Sequence, residues 1–310
     1  MTNLAILGFG IVGSGVYEVA QKCGQPIKVK RVLDIRKFPG HPVQEMLTTN
    51  FDDILNDDEI SIVVESIGGV NPVYEYTKAL LMRGKSVVTS NKAVVAEHGQ
   101  ELLAIAAKNN VKYLFEASVC GAIPIIRPVN TCMMANPVTE IMGILNGTTN
   151  YILTKMLKSG VSFQDALKMA QDEGYAESNP TEDVEGFDTR RKISILSWLA
   201  FGEKGKNVYW KDVPGAGITQ VTLDDLQQAE AANCSLKLIG HAKLVGDKVE
   251  CKVEPMCIPK DNPLAGVDDV FNAVLVRGEY SGDLMFYGRG AGKLPTASAV
   301  MNDVIHAIDL

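Results

Sequence analysis

Apolar residues fall in short runs at Asn3–Leu7, Ile27–Leu33, Ile62–Ser66, Ser86–Thr89 and Val111–Phe115, each the length of a buried strand. Between the runs the pattern is helical: a helix from the first glycines through about Cys23, another over Pro72–Arg83, a third over Val95–Asn109. Glycine or asparagine punctuates each change of period. Strand and helix in strict alternation predict a doubly wound parallel sheet. Ligands of such sheets lie beyond the carboxyl ends of the strands, which selects three loops as a site: Ser66–Gly69, Thr89–Lys92 and Glu116–Ala122.

The first strand is followed by Gly8-Phe9-Gly10-Ile11-Val12-Gly13, and the second ends in Asp34, about twenty residues on. A glycine triplet alone is weak, but this one leaves a strand, opens a helix and meets the acidic residue expected of a dinucleotide site. Gly8 permits the tight turn, Gly10 lets backbone approach a pyrophosphate, and Gly13 lets the helix pack closely. The phosphates would sit on the N–H groups of the helix start, at Ile11 and Val12. Asp34 would hydrogen-bond a ribose 2′-hydroxyl, which favours NAD, whereas Arg36 and Lys37 would hold a 2′-phosphate, which favours NADP. The expectation is that either serves.

Beyond residue 120 the pattern changes. A helix is predicted from Ile125 to about Met134 and a strand over Val138–Leu145. Asn146-Gly147-Thr148-Thr149-Asn150 leads into a helix to Lys158, with Thr148 or Thr149 as the natural N-cap. Further on come an apolar helix face at Ile193–Phe201 and a helix over Asp224–His241. Strands at Lys243–Val245 and Lys248–Val253 form a hairpin about Gly246-Asp247, and another strand covers Phe271–Tyr280. The chain closes with a helix from Thr296 after Gly288-Arg-Gly-Ala-Gly292. The predicted fold is therefore α/β, a Rossmann-type doubly wound parallel sheet plus a second α+β mixed-sheet domain for catalysis and dimerisation. The boundaries are 1–130 with 286–310 for the first domain and 131–285 for the second.

Composition narrows the partners. The chain has 310 residues, a formal charge of −7 and a pI near 5.2, which argues against nucleic acid or an anionic membrane surface. No apolar run approaches a membrane span. A start directly into a strand, without a secretory leader, and six cysteines without metal-type spacing predict a cytoplasmic protein with free, buried thiols. The four histidines form no ligand pair.

One stretch organises the rest. From Ala170 to Lys192 a helix ends at Gly174, a loop gathers Glu177, Glu182, Asp183 and Glu185, and a second helix carries Asp188 and Lys192 at i and i+4. On that helix Asp188, Lys192, Ile195 and Leu196 share a face, and Arg190 and Arg191 point elsewhere. An ordinary surface pair at a helix start is the bland reading. Yet Ala170, Gly174, Tyr175, Ala176, Asn179, Pro180, Asp183, Gly186, Asp188 and Lys192 stand at the spacing of one signature, and the stretch resembles the signature segment of homoserine dehydrogenases.

The resemblance runs along nearly the whole chain. Thr89-Ser90-Asn91-Lys92-Ala93 is similar to the family loop whose lysine lies by the nicotinamide and substrate, and Gly143–Leu153 is similar to its substrate loop, implying binding at Gly147 and Thr148. Glu116-Ala-Ser-Val-Cys-Gly-Ala-Ile-Pro resembles a loop that in some members holds sodium through backbone carbonyls, here those of Glu116, Val119, Gly121 and Ile123; Ala122 departs from the more usual glycine. The loop containing Gly288 and Gly292 is implied to touch the cofactor. The resemblance implies NAD(P)-dependent interconversion of L-aspartate 4-semialdehyde and L-homoserine in threonine and methionine biosynthesis, by a homodimer or homotetramer. On that resemblance Lys192 is the donor to the alkoxide and Lys92 a second cation and proton shuttle, while Glu177, Asp183 and Asp188 are the carboxylates for the substrate ammonium, the last also placed to steer Lys192. Members often carry a further C-terminal ACT module, which is not expected within these residues. Replacing Lys192 should on this reading alter stability little. Sugar oxidoreductases of similar layout are the rival enzyme class, typically with Glu-Lys-Pro where this chain has Asn91-Lys92-Ala93. A nucleotide-binding sensor would need an output element such as a basic DNA-reading helix, and none is found.

Overall fold

A computed structural model describes residues 1–308. The chain divides into two compact units, residues 1–122 with the stretch from Ala291 onward, and Ile123–Gly290.

In the first unit six parallel strands, β1 (Thr2–Leu7), β2 (Ile27–Leu33), β3 (Leu47–Thr48), β4 (Ile60–Glu65), β5 (Ser86–Thr89) and β6 (Tyr113–Leu114), lie in the order β3-β2-β1-β4-β5-β6. That order reverses direction between β1 and β4, which opens a crevice at their carboxyl ends. The helices are α1 (Ile11–Lys22), α2 (Asp52–Leu55), α3 (Val73–Met82), α4 (Lys92–Lys108) and the last element, α10 (Lys293–Ile308). Both faces of β1 and β4 are covered, so Leu4, Ile6, Val63 and Val64 are at most 0% exposed, which explains why these strands read as continuous apolar runs. α10 is part of this core although it lies at the far end of the chain. Val300 and Val304 are 0% exposed and Met301 1%. Gly15 of α1 has no room for a side chain, since a Cβ there would meet the Lys293 carbonyl oxygen at 2.9 Å and Ala297 Cβ at 3.0 Å. The sixth strand is shorter than the apolar run Val111–Phe115 predicts, because only Tyr113 and Leu114 have partners on β5.

The second unit holds a five-stranded antiparallel sheet in the order β11-β10-β7-β8-β9. Its strands are β7 (Val138–Ile144), β8 (Cys234–Val245), β9 (Lys248–Pro259), β10 (Phe271–Gly278) and β11 (Gly282–Arg289). Its helices are α5 (Gly147–Ser159), α6 (Phe163–Asp172), α7 (Thr181–Val184), α8 (Phe187–Ala200) and α9 (Leu223–Ala231). α8 packs on the sheet through Gly240, where a Cβ would lie 3.1 Å from Ile193 Cβ and 3.2 Å from Thr189 Cγ2.

Several expectations are corrected here. The helix predicted to run to His241 stops at Ala231: Thr222 and Asp225 cap its start reciprocally, and Asn233 takes a left-handed φ of 57° at its end. Cys234–Val245 is then a strand, bonded on one side to β7 and on the other to β9. The helix expected to Met134 is a short π-turn at Pro128–Cys132, where the proline cannot donate to the regular ladder. Gly288 lies on β11 opposite Asn272, not in a loop. All six cysteines are free as expected, but only Cys120 is buried, and Cys132 and Cys257 are exposed. No helix among the described residues is long and apolar enough to cross a membrane.

If α10 is a structural member of the first unit, Met301→Ala should lower the unfolding free energy by about 2–5 kcal/mol in a urea titration. Asn302→Ala, on the exposed side of the same helix, should stay within about 0.5 kcal/mol of the parent.

Candidate active site

At the carboxyl edge of the parallel sheet the glycine turn is built as its spacing predicts. Gly8 has φ +86°, and its carbonyl oxygen lies where a Gly13 Cβ would come within 2.0 Å, so neither position tolerates a larger residue. Gly10 is different: a Cβ there would meet nothing within 4 Å. Gly10 also precedes α1 without any side-chain cap, so the first N–H groups of the helix, at Ile11 and Val12, face open space. Uncapped donors at the positive end of a helix beside a side-chain-free approach fit a pyrophosphate. The adjoining cleft encloses about 380 Å³ and is lined by Asp34, Arg36, Thr49, Ser66 and Tyr76 together with the glycines.

Asp34 is 8% exposed and fully engaged. Its Oδ2 accepts from Phe9 N at 2.7 Å and Arg36 Nη2 at 2.7 Å, and its Oδ1 accepts from Arg36 N and Nε, each at 2.9 Å. The Arg36 guanidinium, helped by the backbone N–H donors of Arg36 and Phe9, holds the carboxyl down to about 2 against the cost of burial. Arg36 in turn is held by a two-pronged pair, 5.4 Å over the Phe38 ring. Lys37 beside it is exposed.

The next two loops are joined by a residue that sequence reasoning did not single out. Glu65 ends β4, is 0% exposed, and accepts from Ile67 N at 2.8 Å, Gly68 N at 3.4 Å and Thr89 Oγ1 at 2.6 Å. Burial pushes this carboxyl up, and those donors work against the rise. Thr89 Oγ1 receives Asn91 N at 2.9 Å, Asn91 Nδ2 donates to Gly69 O at 2.7 Å, and Asn91 Oδ1 caps α4 through Ala93 N and Val94 N. The loop after β4 and the Thr89-Ser90-Asn91 loop are thus one hydrogen-bonded body. Lys92 is the first residue of α4, where a cation opposes the helix dipole. Glu116 is buried, with its N–H on Asp303 Oδ2 at 2.8 Å. Val119 is 0% exposed, and the loop turns through left-handed Cys120 (φ 57°) and Gly121 (φ 52°). Gly292, at φ +124°, leads into α10.

In the second unit the signature residues converge. Lys192 Nζ donates to Asp188 Oδ2 and to Leu145 O, both at 2.7 Å. Asn146 Nδ2 bridges the two acids, reaching Asp183 Oδ1 at 2.7 Å and Asp188 Oδ2 at 2.8 Å. The same Asn146 is the N-cap of α5, its Oδ1 accepting from Thr149 N at 2.8 Å. That corrects the expectation of a threonine cap: the amide's oxygen reaches the third N–H of the helix while its nitrogen faces the carboxylates. The cap leaves Gly147 and Thr148 as the first two residues of the helix, whose N–H groups have no partner within it. A Cβ on Gly147 would lie 2.7 Å from Val270 O. Thr148 Oγ1 donates to Tyr175 O at 2.9 Å, tying the helix start to the signature loop. Glu177 is exposed, and only its carbonyl is bound, by Gln171 Nε2 at 3.1 Å.

Asp188 and Lys192 do share a face, but it is no surface: their side chains are 2% and 11% exposed. The expectation that Lys192 can be removed at little cost is therefore corrected, since a buried pair that loses one member leaves a charge without compensation. Among the described residues no cluster of three or more His, Cys, Asp or Glu side chains is arranged to hold a metal ion.

Residues 8–116 match the model of the homoserine dehydrogenase NAD-binding domain, and residues 124–305 match that of homoserine dehydrogenase. A homoserine dehydrogenase of Bacillus subtilis is 42% identical over 98% of this chain and 72% of its own length. The crystal structure of a homoserine dehydrogenase from Thiobacillus denitrificans superposes with a TM-score of 0.91 at 39% identity, covering 99% of this chain and 73% of that one. A hyperthermophilic archaeal homoserine dehydrogenase in complex with NADPH gives a TM-score of 0.82 at 27% identity over 99% and 97%.

Proposed function

The chain belongs to the homoserine dehydrogenase family, NAD(P)-dependent oxidoreductases of threonine and methionine biosynthesis, and from that premise we propose how its own residues interconvert L-aspartate 4-semialdehyde and L-homoserine. The observation that carries the reading is the Asp183–Asn146–Asp188–Lys192 network. Lys192 has three N–H donors, and two are fixed by Asp188 and Leu145 O. The third serves the substrate oxygen. As hydride from the nicotinamide reaches the aldehyde carbon, that oxygen becomes an alkoxide, and a positive donor already in place needs no reorganisation to stabilise it. Asp188 orients the lysine. Asp183 and Glu177 take the substrate ammonium, and the N–H groups of Gly147 and Thr148 take its carboxylate at the α5 N-terminus. Lys92 acts as second cation and proton carrier, consistent with its placement against the dipole of α4.

The first unit binds the cofactor. Gly8, Gly10, Ile11, Val12 and Gly13 cradle the pyrophosphate, Thr89 and Ser90 border the nicotinamide loop, and Gly292 belongs to the segment that returns to this unit, whereas Gly288 stands on β11. Because Asp34 holds Arg36 so completely, the ribose side is read by Arg36 and Lys37, and the 2′-phosphate of NADP is favoured while NAD is still accepted. The carbonyls of Glu116, Val119, Gly121 and Ile123 are the place for a sodium ion; support comes from the family loop and the left-handed turn at Cys120 and Gly121. Free thiols fit a reducing cytoplasm.

Subunits pair through the sheet face opposite α8. Met142, Met256 and Met285 lie half-buried on that face, with Glu140 beside them holding His241 Nε2 at 2.7 Å. Methionines left half-covered on a sheet face suit a second copy. Met142→Lys should convert the assembly to monomer by light scattering, and an unchanged mass would place the interface elsewhere.

For the cofactor, Arg36→Ala should raise KM for NADPH by about 10- to 100-fold, the loss of a charge-assisted contact, and leave KM for NADH nearly unchanged. Equal damage to both would contradict the pocket assignment. For the chemistry, Lys192→Ala should lower kcat by about 10²–10³ and unfold about 3–5 kcal/mol more easily, measured well below its melting temperature. Wild-type turnover in that variant would remove Lys192 from the mechanism.

A further inference from the structure

α7 carries Asp183, yet it is only four residues long, too short to hold its own geometry. It is held from outside. Arg191 stands one position before Lys192 but on another side of α8. Its side chain is 13% exposed, its guanidinium pairs with Glu182 of α7, and its flat face lies 4.1 Å from the centre of the Trp210 ring. A planar cation set between an indole and a carboxylate has lost most of its rotational freedom, a role that lysine could not fill equally. The same strand of chain that brings Trp210 continues to Ile218, whose N–H donates to Val184 O at 2.8 Å, and passes so close that a Cβ on Gly217 would lie 1.9 Å from that oxygen. α7 is thus gripped at Glu182 and at Val184, on either side of Asp183.

We propose that Arg191 is a positioning residue for substrate binding: clamped by Trp210, it fixes α7 through Glu182 and so keeps the Asp183 carboxylate on Asn146, aimed at the substrate ammonium. Arg191 touches neither substrate nor cofactor. The inference rests on the reading of Asp183 as a partner of that ammonium. It separates binding from chemistry, because Lys192 and Asp188 bond each other within α8 and are held besides by Leu145 O and Asn146, none of which belongs to α7.

Steady-state kinetics with homoserine and NADP on the full chain decide it. Arg191→Ala should raise KM for homoserine by about tenfold, the worth of one charge-assisted contact, with kcat and KM for NADP within about twofold. Glu182→Gln removes the pair from its exposed end, where folding is not at risk, and should move KM for homoserine the same way. Glu182→Gln added to Arg191→Ala should change nothing further. Arg191→Lys, which keeps charge but not the stack, should fall between. Asp183→Asn, run alongside, distinguishes the two layers. If it raises KM for homoserine while Arg191→Ala and Glu182→Gln leave it at the wild-type value, the clamp is refuted and the role of Asp183 stands. If Asp183→Asn leaves KM unmoved, the ammonium assignment falls and the clamp with it. A loss of kcat without a change in KM in Glu182→Gln would also overturn the proposal.

Discussion

Asp183 and Asp188 share a single amide. Asn146 gives one N–H to each carboxylate, and without that bridge two acids converging from α7 and α8 would repel across a poorly hydrated gap. Lys192 supplies the compensating charge from one turn along α8. Because Asn146 also caps α5, the start of the helix that offers N–H groups to a carboxylate is fixed by the residue that spaces the acids. Asn146, Asp188 and Lys192 are buried and Asp183 is half-buried, so removal of any one leaves a polar neighbour short of a partner. The network is stable only when complete, which is a good property for a site that must be formed before substrate arrives.

The parallel-sheet unit solves its own problem with the same device, a buried carboxylate accepting backbone donors. Asp34 joins the glycine turn to the end of β2 by taking Phe9 N and the Arg36 donors together. Glu65 does so for the loops after β4 and β5. The ends of parallel strands leave N–H groups unpaired just where the chain must turn sharply, and a carboxylate can satisfy several at once. The two acids nevertheless end with opposite titration behaviour. Asp34 has a guanidinium against it and is held to about 2; Glu65 has only neutral donors and is pushed up by burial. Asp34 is thereby tied to Arg36, so its carboxylate is engaged within the protein by a neighbouring cation.

Much of this was legible from residue pattern. The period of the apolar runs was enough for the parallel sheet, and the fixed spacing from Ala170 to Lys192 pointed to the family, because helix and loop geometry leaves little freedom between residues that must meet. What was not legible depended on contacts distant in sequence. β8 has a composition that a helix also tolerates, and only pairing with β7 and β9 makes it a strand. Asn146 looked like a turn residue ahead of two better-known capping hydroxyls; its second role needs acids 37 and 42 positions away. Glu65 was hidden at the end of an apolar run, although a lone acid closing a buried strand is a signal that could have been read. The burial of Lys192 was missed for a simpler reason: an i,i+4 Asp–Lys pair has the same sequence whether it faces water or a core.

The charges that break local rules are the ones proposed above to serve the chemistry. Lys92 sits at the positive end of α4, where an acid would be more stable, and Lys192 is 9% exposed in the middle of a helix whose neighbours Ile193, Ile195 and Leu196 are 0% exposed. Left to propensity and burial alone, either position would favour another residue. The second unit offsets the cost at Lys192 with the Leu145 carbonyl and the Asp188 carboxylate, and it grips the short helix that carries Asp183 separately, through Arg191 and Trp210. A fold arranged in that way can hold an unfavourable cation ready for an alkoxide without letting the surrounding loop relax to neutralise it.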